Sequence, residues 1–401
     1  MNVLFMSLGT FYNLNDSSVH LDIMKRFAEE HDVWLVCKNE DKPTEFTEEL
    51  GIHVLRLHTG ELKKVGLIKK GINTIRVEPQ FKNAIKKYLS NVRFDLVLFT
   101  TPPITFASAV KYVKKRDDAV TYLMLKDIFP QNAVDIGIMS KSGVKGLLYK
   151  YFRKKEKELY KWSDYIGCMS PANCDYILKN NPEVNSEKVE ICPNITVIKD
   201  MSCSDEDRIK IRTKYAIPLD KKVFVYGGNL GKPQDIPFVI ECLKACKDVD
   251  NAYFLIVGAG TDYYLLDNYV KTSNQTNLKL MQRLPKEDYD KMIGACDVGM
   301  IFLDHRFTIP NFPSRLLAYM SAKLPVLAVT DPNTDIGKVI TEGGFGWWCE
   351  SDKSANFVAA IQRVLAADEN EIVKMKNMEF KYLEENYSPD VTYNTIIQHC
   401  I

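Results

Sequence analysis

The sequence lacks a long apolar run, a metal-binding cysteine pattern and an export signal. No window approaches the roughly 18 uninterrupted apolar residues that a membrane-spanning helix needs. The first seven residues lack the basic and apolar regions of a signal peptide. The ten cysteines include no CxxC pair and no Cys/His cluster at zinc spacing. These absences argue against an integral membrane protein and a zinc module, and scattered free thiols favour the reducing cytoplasm.

The common nucleotide-binding motifs are also missing. Neither GxGxxG followed by a ribose-binding acid nor GxxxxGK[ST] occurs, which argues against a nicotinamide dehydrogenase and a P-loop enzyme. The composition, with 46% apolar and 26% charged residues, excludes disordered and fibrous classes. A chain of 401 residues exceeds one ordinary core, so two or three domains are expected.

The net charge of +1 hides a strong asymmetry along the chain. Residues 51–161 hold 23 Lys and Arg against 9 Asp and Glu, so the remainder carries about −13. The cations alternate with Leu, Ile, Phe and Tyr in these clusters: Lys63-Lys64, Lys69-Lys70, Lys86-Lys87, Lys114-Lys115-Arg116 and Arg153-Lys154-Lys155. The pattern predicts a surface that adheres to anionic membrane, with a solvated helical face as the alternative. No recognition motif accompanies it, so nucleic acid is not an expected partner.

Two successive α/β patterns organise the chain. Buried-type strands alternate with helices up to about residue 195, a polar and weakly patterned stretch follows, and the pattern restarts at Lys222. The sequence therefore predicts domains at 1–195 and 196–385, with a C-terminal helix in 386–401 that crosses back to the first domain. Such sheets bind ligands at the carboxyl ends of their strands.

In the first domain, polar residues follow two of these strands. Thr101 comes after the strand at 94–99, and Asp127 comes after the strand at 120–125. A carboxylate at a strand end is a candidate catalytic or acceptor-binding group, with a helix cap or turn as the alternative. His20 falls at the start of the first predicted helix, where an ordinary helix-face histidine is one reading.

In the second domain, glycines follow the first two strands. A strand at Lys222–Tyr226 is predicted to run into a loop over 227–235, with a helix starting near Ile236. Gly228 and Asn229 let backbone N–H groups approach a diphosphate, and Lys232 adds a charge. Gly258 and Gly260 end the next strand. A tight structural turn is the alternative reading of these loops.

The stretch 308–329 has the order loop, helix, strand. Two prolines and Asn311 make a turn, and an apolar-periodic run starts behind Ser314, which places Arg315 at a helix N-terminus. Such an end attracts anions, and the guanidinium adds a planar charged fork suited to phosphate. A capped helix with a solvated arginine is the alternative.

Seven segments together resemble a known family. Two lie in the first domain, Thr101-Pro102-Pro103 and Asp127-Ile128-Phe129-Pro130. Five follow in order in the second: Tyr226–Lys232, Ile256–Gly260, Ala295–Val298, Asn311–Arg315 and Pro325–Ala328. They are similar to group 1, or family 4, glycosyltransferases of the GT-B fold, and within them to the fucosamine and colanic-acid transferase branch of bacterial surface-polysaccharide biosynthesis. The resemblance covers nearly the whole chain. It implies an α/β protein with two Rossmann-like, doubly wound domains facing a central cleft.

The resemblance also implies an activity. It points to a retaining hexosyl- or N-acetylhexosaminyltransferase that moves a sugar from a nucleotide-diphosphate donor, UDP rather than GDP. The acceptor would be a lipid-linked or free saccharide in capsule, exopolysaccharide or O-antigen synthesis. No metal and no cofactor are expected, because cationic side chains neutralise the leaving diphosphate. The expected location is cytoplasmic, peripheral on the inner face of the cell membrane through the basic first domain.

Site roles follow residue by residue from the matching motifs. The expected catalytic residues are Asp127, Lys232 and Arg315. The donor-binding residues are Gly228, Asn229, Gly258, Gly260, Asn311, Ser314 and Asp335, and the acceptor-side residues are His20 and Thr101.

The chain departs from the family at three positions. Pro310 and Ala318 align with the family's paired glutamates, and Asn229 aligns with its donor-loop arginine. Ribose and sugar recognition would therefore depend on other acids, with candidates at Asp304, Asp331 and Asp335, and His305 as a further sugar contact. A non-catalytic nucleotide-sugar-binding or scaffold relative, and a GT-B nucleotide-sugar epimerase, remain alternatives.

Overall fold

Two separate sheets organise the chain, each in its own compact unit. The computed structural model describes residues 1–40, 42–59 and 67–400, and it describes 67–77 by their backbone alone. Unit 1 comprises Met1–Val197 together with Ser388–Ile401, and unit 2 comprises Ile198–Tyr387. The boundaries expected from the sequence, at 195 and 385, each lie two residues from these.

Unit 1 is built on an eight-stranded sheet with the strand order β3-β4-β2-β1-β5-β6-β7-β8. Its strands are β1 (Asn2–Met6), β2 (Asp32–Asn39), β3 (Glu45–Glu49), β4 (Ile52–His58), β5 (Leu96–Thr100), β6 (Val120–Leu125), β7 (Tyr165–Cys168) and β8 (Val189–Ile191). All neighbours pair in parallel except β3 with β4. The central strands are almost wholly apolar because helices cover both faces of a parallel sheet.

The helices of unit 1 connect these strands. They are α1 (Val19–Ala28), α2 (Leu67–Tyr88), α3 (Ala107–Asp117), α4 (Gln131–Asp135), α5 (Gly143–Lys161) and α6 (Pro171–Asn180). Helix α3 packs against both α2 and α5. The basic pair Lys63-Lys64 lies outside the described residues, as do the side chains of Lys69-Lys70.

Strand β3 was not expected from the sequence. Its acidic, alternating pattern does not read as a buried strand, and it is held by a partner from elsewhere. Arg56 on β4 is buried and donates to both carboxylate oxygens of Glu49, at 2.6 and 2.9 Å, and to Thr47 Oγ1 at 3.0 Å. A bidentate, charge-assisted pair fixes the edge strand that local sequence left unspecified.

Unit 2 is built on a six-stranded, all-parallel sheet with the order β11-β10-β9-β12-β13-β14. Its strands are β9 (Lys222–Asn229), β10 (Ala252–Ala259), β11 (Leu278–Gln282), β12 (Val298–Phe302), β13 (Val326–Thr330) and β14 (Gly346–Glu350). Its helices are α7 (Asp205–Lys214), α8 (Ile236–Ala245), α9 (Tyr263–Ser273), α10 (Lys286–Gly294), α11 (Arg315–Ser321), α12 (Ile336–Glu342), α13 (Ser354–Ala366) and α14 (Glu369–Asn386).

The last helix, α15 (Pro389–Ile397), belongs to unit 1 and packs against α1. Arg26 on α1 bonds to Asp390 at 2.5 Å and lies 3.9 Å from the ring centroid of Tyr393. The chain thus leaves unit 1 once and returns to it.

Two local expectations for unit 2 are wrong. Strand β9 does not end at Tyr226 but continues to Asn229, because Gly227 and Gly228 pair with β10. Helix α7 occupies the stretch expected to be an unpatterned linker. Its buried Arg212 donates to Asp297 at 2.6 Å, an interaction that is invisible in local periodicity. No helix in the described part of the chain is long and apolar enough to cross a membrane.

Candidate active site

The site in unit 2 centres on Arg315, the first residue of α11. Its guanidinium carbon lies 4.2 Å from the ring centroid of Tyr226, which is buried on β9 three residues before the strand ends. Nη1 is shielded from solvent and has no hydrogen-bond partner among the described residues. Arg315 is therefore not the freely solvated helix-end residue that was the alternative reading. The ring of Tyr226 holds the guanidinium in place without hydrogen-bonding Nη1, so that donor is unused.

Three tyrosines surround this guanidinium. Burial alone would lower the pKa of Arg315, but the neighbouring Tyr226, Tyr319 and Tyr289 raise it above its ordinary value. The group stays protonated at every physiological pH. We call Tyr226, Tyr289 and Tyr319 the aromatic cage. Tyr319 is fully buried, and its Oη accepts from the Gly227 N–H at 3.2 Å, which fixes the cage to β9. The cage pre-orients a cation without neutralising it by a carboxylate.

Glycines let the backbone approach this cation. Nη2 of Arg315 would lie 3.1 Å from a Cβ at Gly228, whose φ of +133° also favours glycine. A Cβ at Gly258 would lie 2.1 Å from the Gly228 carbonyl oxygen, and one at Gly260 would lie 2.1 Å from the Leu230 carbonyl oxygen. The predicted donor glycines therefore meet at the carboxyl ends of β9 and β10. Gly258 and Gly260 serve close strand packing, while Gly228 faces Arg315.

Asn229 and Lys232 occupy the turn that follows β9. Asn229 is exposed, and its Nδ2 donates to Gln234 Oε1 at 2.8 Å, which shapes the turn. Lys232 is exposed and forms no ion pair with any residue that the structure describes. The structure thus places Lys232 on the loop as predicted, but it shows no contact between Lys232 and Arg315.

The loop after β13 supports the loop before α11 through hydrogen bonds. Asp331 is buried and accepts from the backbone N–H of Asn333 and Thr334, both at 2.9 Å, and from Thr334 Oγ1 at 3.0 Å. Thr334 Oγ1 in turn accepts from the Asn311 N–H at 3.0 Å. The Asn311 Nδ2 atom is buried without a partner in the described part of the chain. Asp331 therefore supports the loop and is not placed to bind a ribose.

The other donor-side candidates differ in their surroundings. Ser314 is exposed and precedes α11 without a capping hydrogen bond from its side chain. Asp335 precedes α12 and is partly exposed. Asp304 is fully buried and both of its carboxylate oxygens accept from Arg306, at 2.9 and 2.5 Å. Among the three acids considered as substitutes for the missing glutamates, Asp335 is the one that reaches the surface.

A possible metal-ligand group exists within the described residues. Asp235, Asp304 and His305 present ligand atoms within 4.8 Å of one another. Arg306, however, already occupies both oxygens of Asp304, so a cation there would displace a bidentate ion pair. The donor set does not favour a metal, and metal independence stays a prediction.

Unit 1 gathers its predicted residues at the carboxyl ends of β5 and β6. The Thr101 hydroxyl accepts from the Lys126 and Asp127 N–H groups, both at 3.1 Å, and donates to the Asp127 carbonyl oxygen at 3.0 Å. Thr101 is buried and its hydroxyl makes these three hydrogen bonds, so it positions the loop. Its acceptor-side role stays a prediction.

Asp127 lies in a poorly solvated environment. Burial raises the pKa of its carboxyl to about 6, against lowering contributions from the Asn132 side chain and the Ile128 backbone. Asn132 Nδ2 donates to Oδ1 at 2.5 Å. A carboxyl with this pKa exchanges protons near neutrality, as an acid–base group must.

His20 is a neutral histidine beside a cation. Burial and then the charge of Lys126 lower the pKa of His20 to about 4. Its Nδ1 lies 3.4 Å from Ser7 Oγ, at the end of β1. Lys126 itself donates to the carbonyl oxygens of Cys192 and Pro193, at 3.1 and 2.9 Å. The strand ends of β1 and β6 therefore place a neutral imidazole near an ammonium, and Asp127 follows Lys126 in the chain.

The sequence reasoning missed Tyr226, Tyr289, Tyr319 and Lys126. Lys126 directly follows β6, and Tyr226 ends the strand that the sequence predicts, so a signal was available for both. Tyr319 lies four residues after Arg315 on α11, a same-face spacing that was also available, whereas Tyr289 lies on α10 and no local pattern links it to Arg315.

Comparison with known proteins identifies the second half of the chain. Residues 207–379 match the family Glycosyl transferases group 1. The chain contains a group 1 glycosyltransferase domain. The segment matched includes β9, β10 and α11, so the aromatic cage and the glycine-lined strand ends lie within the glycosyltransferase domain.

Two curated proteins are similar to this glycosyltransferase. WbjE of Pseudomonas aeruginosa, assigned as a glycosyltransferase, is 23% identical over 312 residues, which cover 75% of this chain and 70% of WbjE. WcaI of Escherichia coli K12, assigned as a colanic acid biosynthesis glycosyl transferase, is 23% identical over 297 residues, covering 73% and 71%.

Solved structures show the same fold along the whole chain. Sucrose-phosphate synthase from Thermosynechococcus elongatus superposes with a TM-score of 0.74 at 14% identity, covering 99% of this chain and 98% of that one. Anabaena HepE in complex with UDP-glucose gives 0.68 at 14% identity, covering 100% and 99%. The expected fold class is confirmed: the chain has the GT-B fold.

Proposed function

We propose that this glycosyltransferase transfers a hexosyl or N-acetylhexosaminyl group from a UDP-sugar, with retention of configuration and without a metal ion. The observation that carries the proposal is Arg315, a permanently charged guanidinium held over Tyr226 at 4.2 Å with Nη1 unused. A pre-oriented cation is the group that a departing diphosphate needs, because it costs no reorganisation when charge develops.

The glycine-lined strand ends support the same assignment. Gly228 exposes backbone beside the guanidinium, so a diphosphate can contact N–H groups and Arg315 together. Lys232 lies on the adjacent exposed turn and supplies a second cation. HepE, of the same fold, was solved with UDP-glucose, which supports a uridine donor here.

The acceptor side rests on unit 1. We propose that Asp127, with a pKa near 6, binds and polarises the acceptor hydroxyl, and that His20 contacts the acceptor as a neutral imidazole. The relative WcaI, named for colanic acid biosynthesis, supports a saccharide acceptor in bacterial surface-polysaccharide synthesis. A lipid-linked acceptor at the inner membrane surface fits the cationic bias of residues 51–161.

Binding and turnover of a panel of nucleotide sugars test this proposal. We expect UDP to raise the melting temperature, GDP, ADP and CMP to leave it unchanged, and EDTA to have no effect. Incubation with the stabilising UDP-sugar and a lipid-linked saccharide should release UDP and extend the saccharide. Stabilisation without product in any acceptor mixture would support a binding or scaffold role. Conversion of the donor sugar to its epimer would support an epimerase instead.

A further inference from the structure

The exposed surface of helix α5 carries an apolar patch that the sequence analysis did not identify. Val144, Leu147 and Leu148 are 86%, 69% and 42% exposed, although each is aliphatic. They are spaced i, i+3 and i+4 on α5, so they share one face of its first two turns. We call these three residues the α5 tip. An exposed aliphatic cluster on an otherwise well-buried fold marks an interaction surface.

The packing of α5 explains why this face is uncovered. Gly146 is buried, and a Cβ there would lie 2.7 Å from the Lys141 carbonyl oxygen, so the preceding loop covers the Gly146 side. Further along, α5 buries Phe152, Leu159 and Tyr160 against unit 1. Phe152 and Leu159 lie four and eleven residues after Leu148, so they continue the same stripe of the helix as the α5 tip. This stripe is packed from Phe152 onward and exposed in the first two turns, so the α5 tip is the exposed end of an apolar face.

Cations border the α5 tip, and acids are absent from the segment. Residues 136–155 contain six Lys and Arg and no Asp or Glu. Lys150 and Lys154 lie three and seven residues after Leu147, on the same face of α5. Both are exposed and neither pairs with an acid in the described chain. Lys145 is likewise exposed.

Most of the other predicted basic side chains are paired with acids. The exception is Lys86-Lys87, which is exposed and lies over the rings of Tyr112 and Tyr88. Lys114 pairs with Asp164, and Arg116 pairs with Asp117 at 2.6 Å. Arg153 pairs with Glu156 at 2.5 Å. Lys155 pairs with Glu78 at 2.9 Å and with Glu158 at 3.2 Å. Charge clustering in the sequence therefore overstated the free cationic surface, and the uncompensated part that also carries exposed aliphatic groups lies on α5.

We infer that the α5 tip inserts into the headgroup region of an anionic lipid bilayer, with Lys145, Lys150 and Lys154 against the lipid phosphates. The inference rests on the proposed membrane-surface acceptor and names the element that makes the contact. Shallow insertion of aliphatic side chains combined with cation–lipid attraction is how amphipathic helices bind membrane surfaces. Three protruding aliphatic side chains are too few for a stable protein interface of about 800 Å² per partner, whereas a bilayer requires no complementary shape.

Vesicle co-sedimentation of the full-length protein tests the inference. We expect binding to phosphatidylcholine vesicles that contain phosphatidylglycerol, and weak binding to phosphatidylcholine alone. The double variant Val144→Asp/Leu147→Asp should bind the anionic vesicles at least about tenfold more weakly. The matched control Leu219→Asp, at a residue of unit 2 that is 56% exposed, should bind like the wild type. Lys150→Gln/Lys154→Gln should weaken binding at low salt and reduce its salt dependence.

Three outcomes would overturn the inference. They are unchanged vesicle binding by Val144→Asp/Leu147→Asp, absence of binding by the wild-type protein, and a wild-type dimer in lipid-free solution that this variant converts to a monomer. The last would assign the α5 tip to a second copy of the chain. The UDP-dependent melting shift, measured on the same samples, separates this inference from the proposed function. A retained shift without vesicle binding rejects the membrane contact and leaves sugar transfer standing.

Discussion

Replacement of Arg315 by alanine removes the charge on which the proposed chemistry depends. A pre-oriented donor to a developing anion contributes about 2–4 kcal/mol to the transition state, so turnover should fall about 30- to 1,000-fold. Arg315→Lys keeps a positive charge but loses the planar fork that stacks on Tyr226 at 4.2 Å. We therefore expect Arg315→Lys to fall between the wild type and Arg315→Ala.

The same substitution should change stability little, because two effects oppose each other. Alanine loses a cation–π contact with Tyr226 that contributes about 0.5–2 kcal/mol. It also removes a shielded Nη1 that lacks a partner among the described residues, and an unsatisfied buried donor costs about 1–3 kcal/mol. The net change is within about 2 kcal/mol, a shift of a few degrees in melting temperature.

Initial rates of UDP release at saturating donor, together with melting curves, measure both quantities. Arg283→Ala provides the matched control, since Arg283 is exposed on unit 2 and outside the cage. Wild-type turnover in Arg315→Ala would remove Arg315 from the mechanism. A drop in melting temperature large enough to unfold the variant at the assay temperature would instead show that the cage is a structural ion site, and the reasoning about opposing effects would be refuted.

Three further predictions concern buried ionisable groups. Burial raises the pKa of Asp127 from 3.8 to about 6, so the carboxyl ionises at lower pH in the unfolded chain than in the folded one. The free energy of unfolding should therefore fall by up to about 3 kcal/mol between pH 4 and 6. Denaturant titrations at these two pH values should show this loss in the wild type and not in Asp127→Asn. Asp331→Ala should lower the free energy of unfolding by about 2–3 kcal/mol and weaken the UDP-induced melting shift, because Thr334 loses its anchor. Arg212→Met should cost about 1–3 kcal/mol in urea titration, since the Ala295 carbonyl loses its buried donor while Asp297 keeps Arg208, and retained UDP binding in folded protein is its control.

Much of the architecture follows from patterns that act over short distances. Apolar strands bounded by glycine or proline, with helices between them, predicted both sheets, and the strand ends predicted where Asp127, Gly228 and Gly258 would lie. These assignments succeed because a parallel strand buried on both faces has to be apolar throughout. The position of Arg315 at the start of α11 followed in the same way from the turn before it.

The missing parts depend on contacts between distant residues. Strand β3 is held by Arg56, and α7 is held through Arg212 and Asp297, so neither has a strong local signal. The cage around Arg315 combines Tyr226 on β9 with tyrosines of α10 and α11. Ion pairing likewise cannot be read from charge counts. The fold was therefore more predictable than the chemistry of its site, because packing patterns are periodic and side-chain convergence is not.

The replacement of the family's two glutamates separates two tasks that a donor site performs. Ala318 lies three residues after Arg315, on the same side of α11, so an acid there would place a negative charge beside the guanidinium. Without it, Arg315 has no carboxylate partner within the described chain, and its full charge is available to a diphosphate. We therefore expect loss of the acids to weaken ribose and sugar recognition and to strengthen the field at the leaving group. On this expectation, donor selectivity would depend on partly exposed groups such as Asp335.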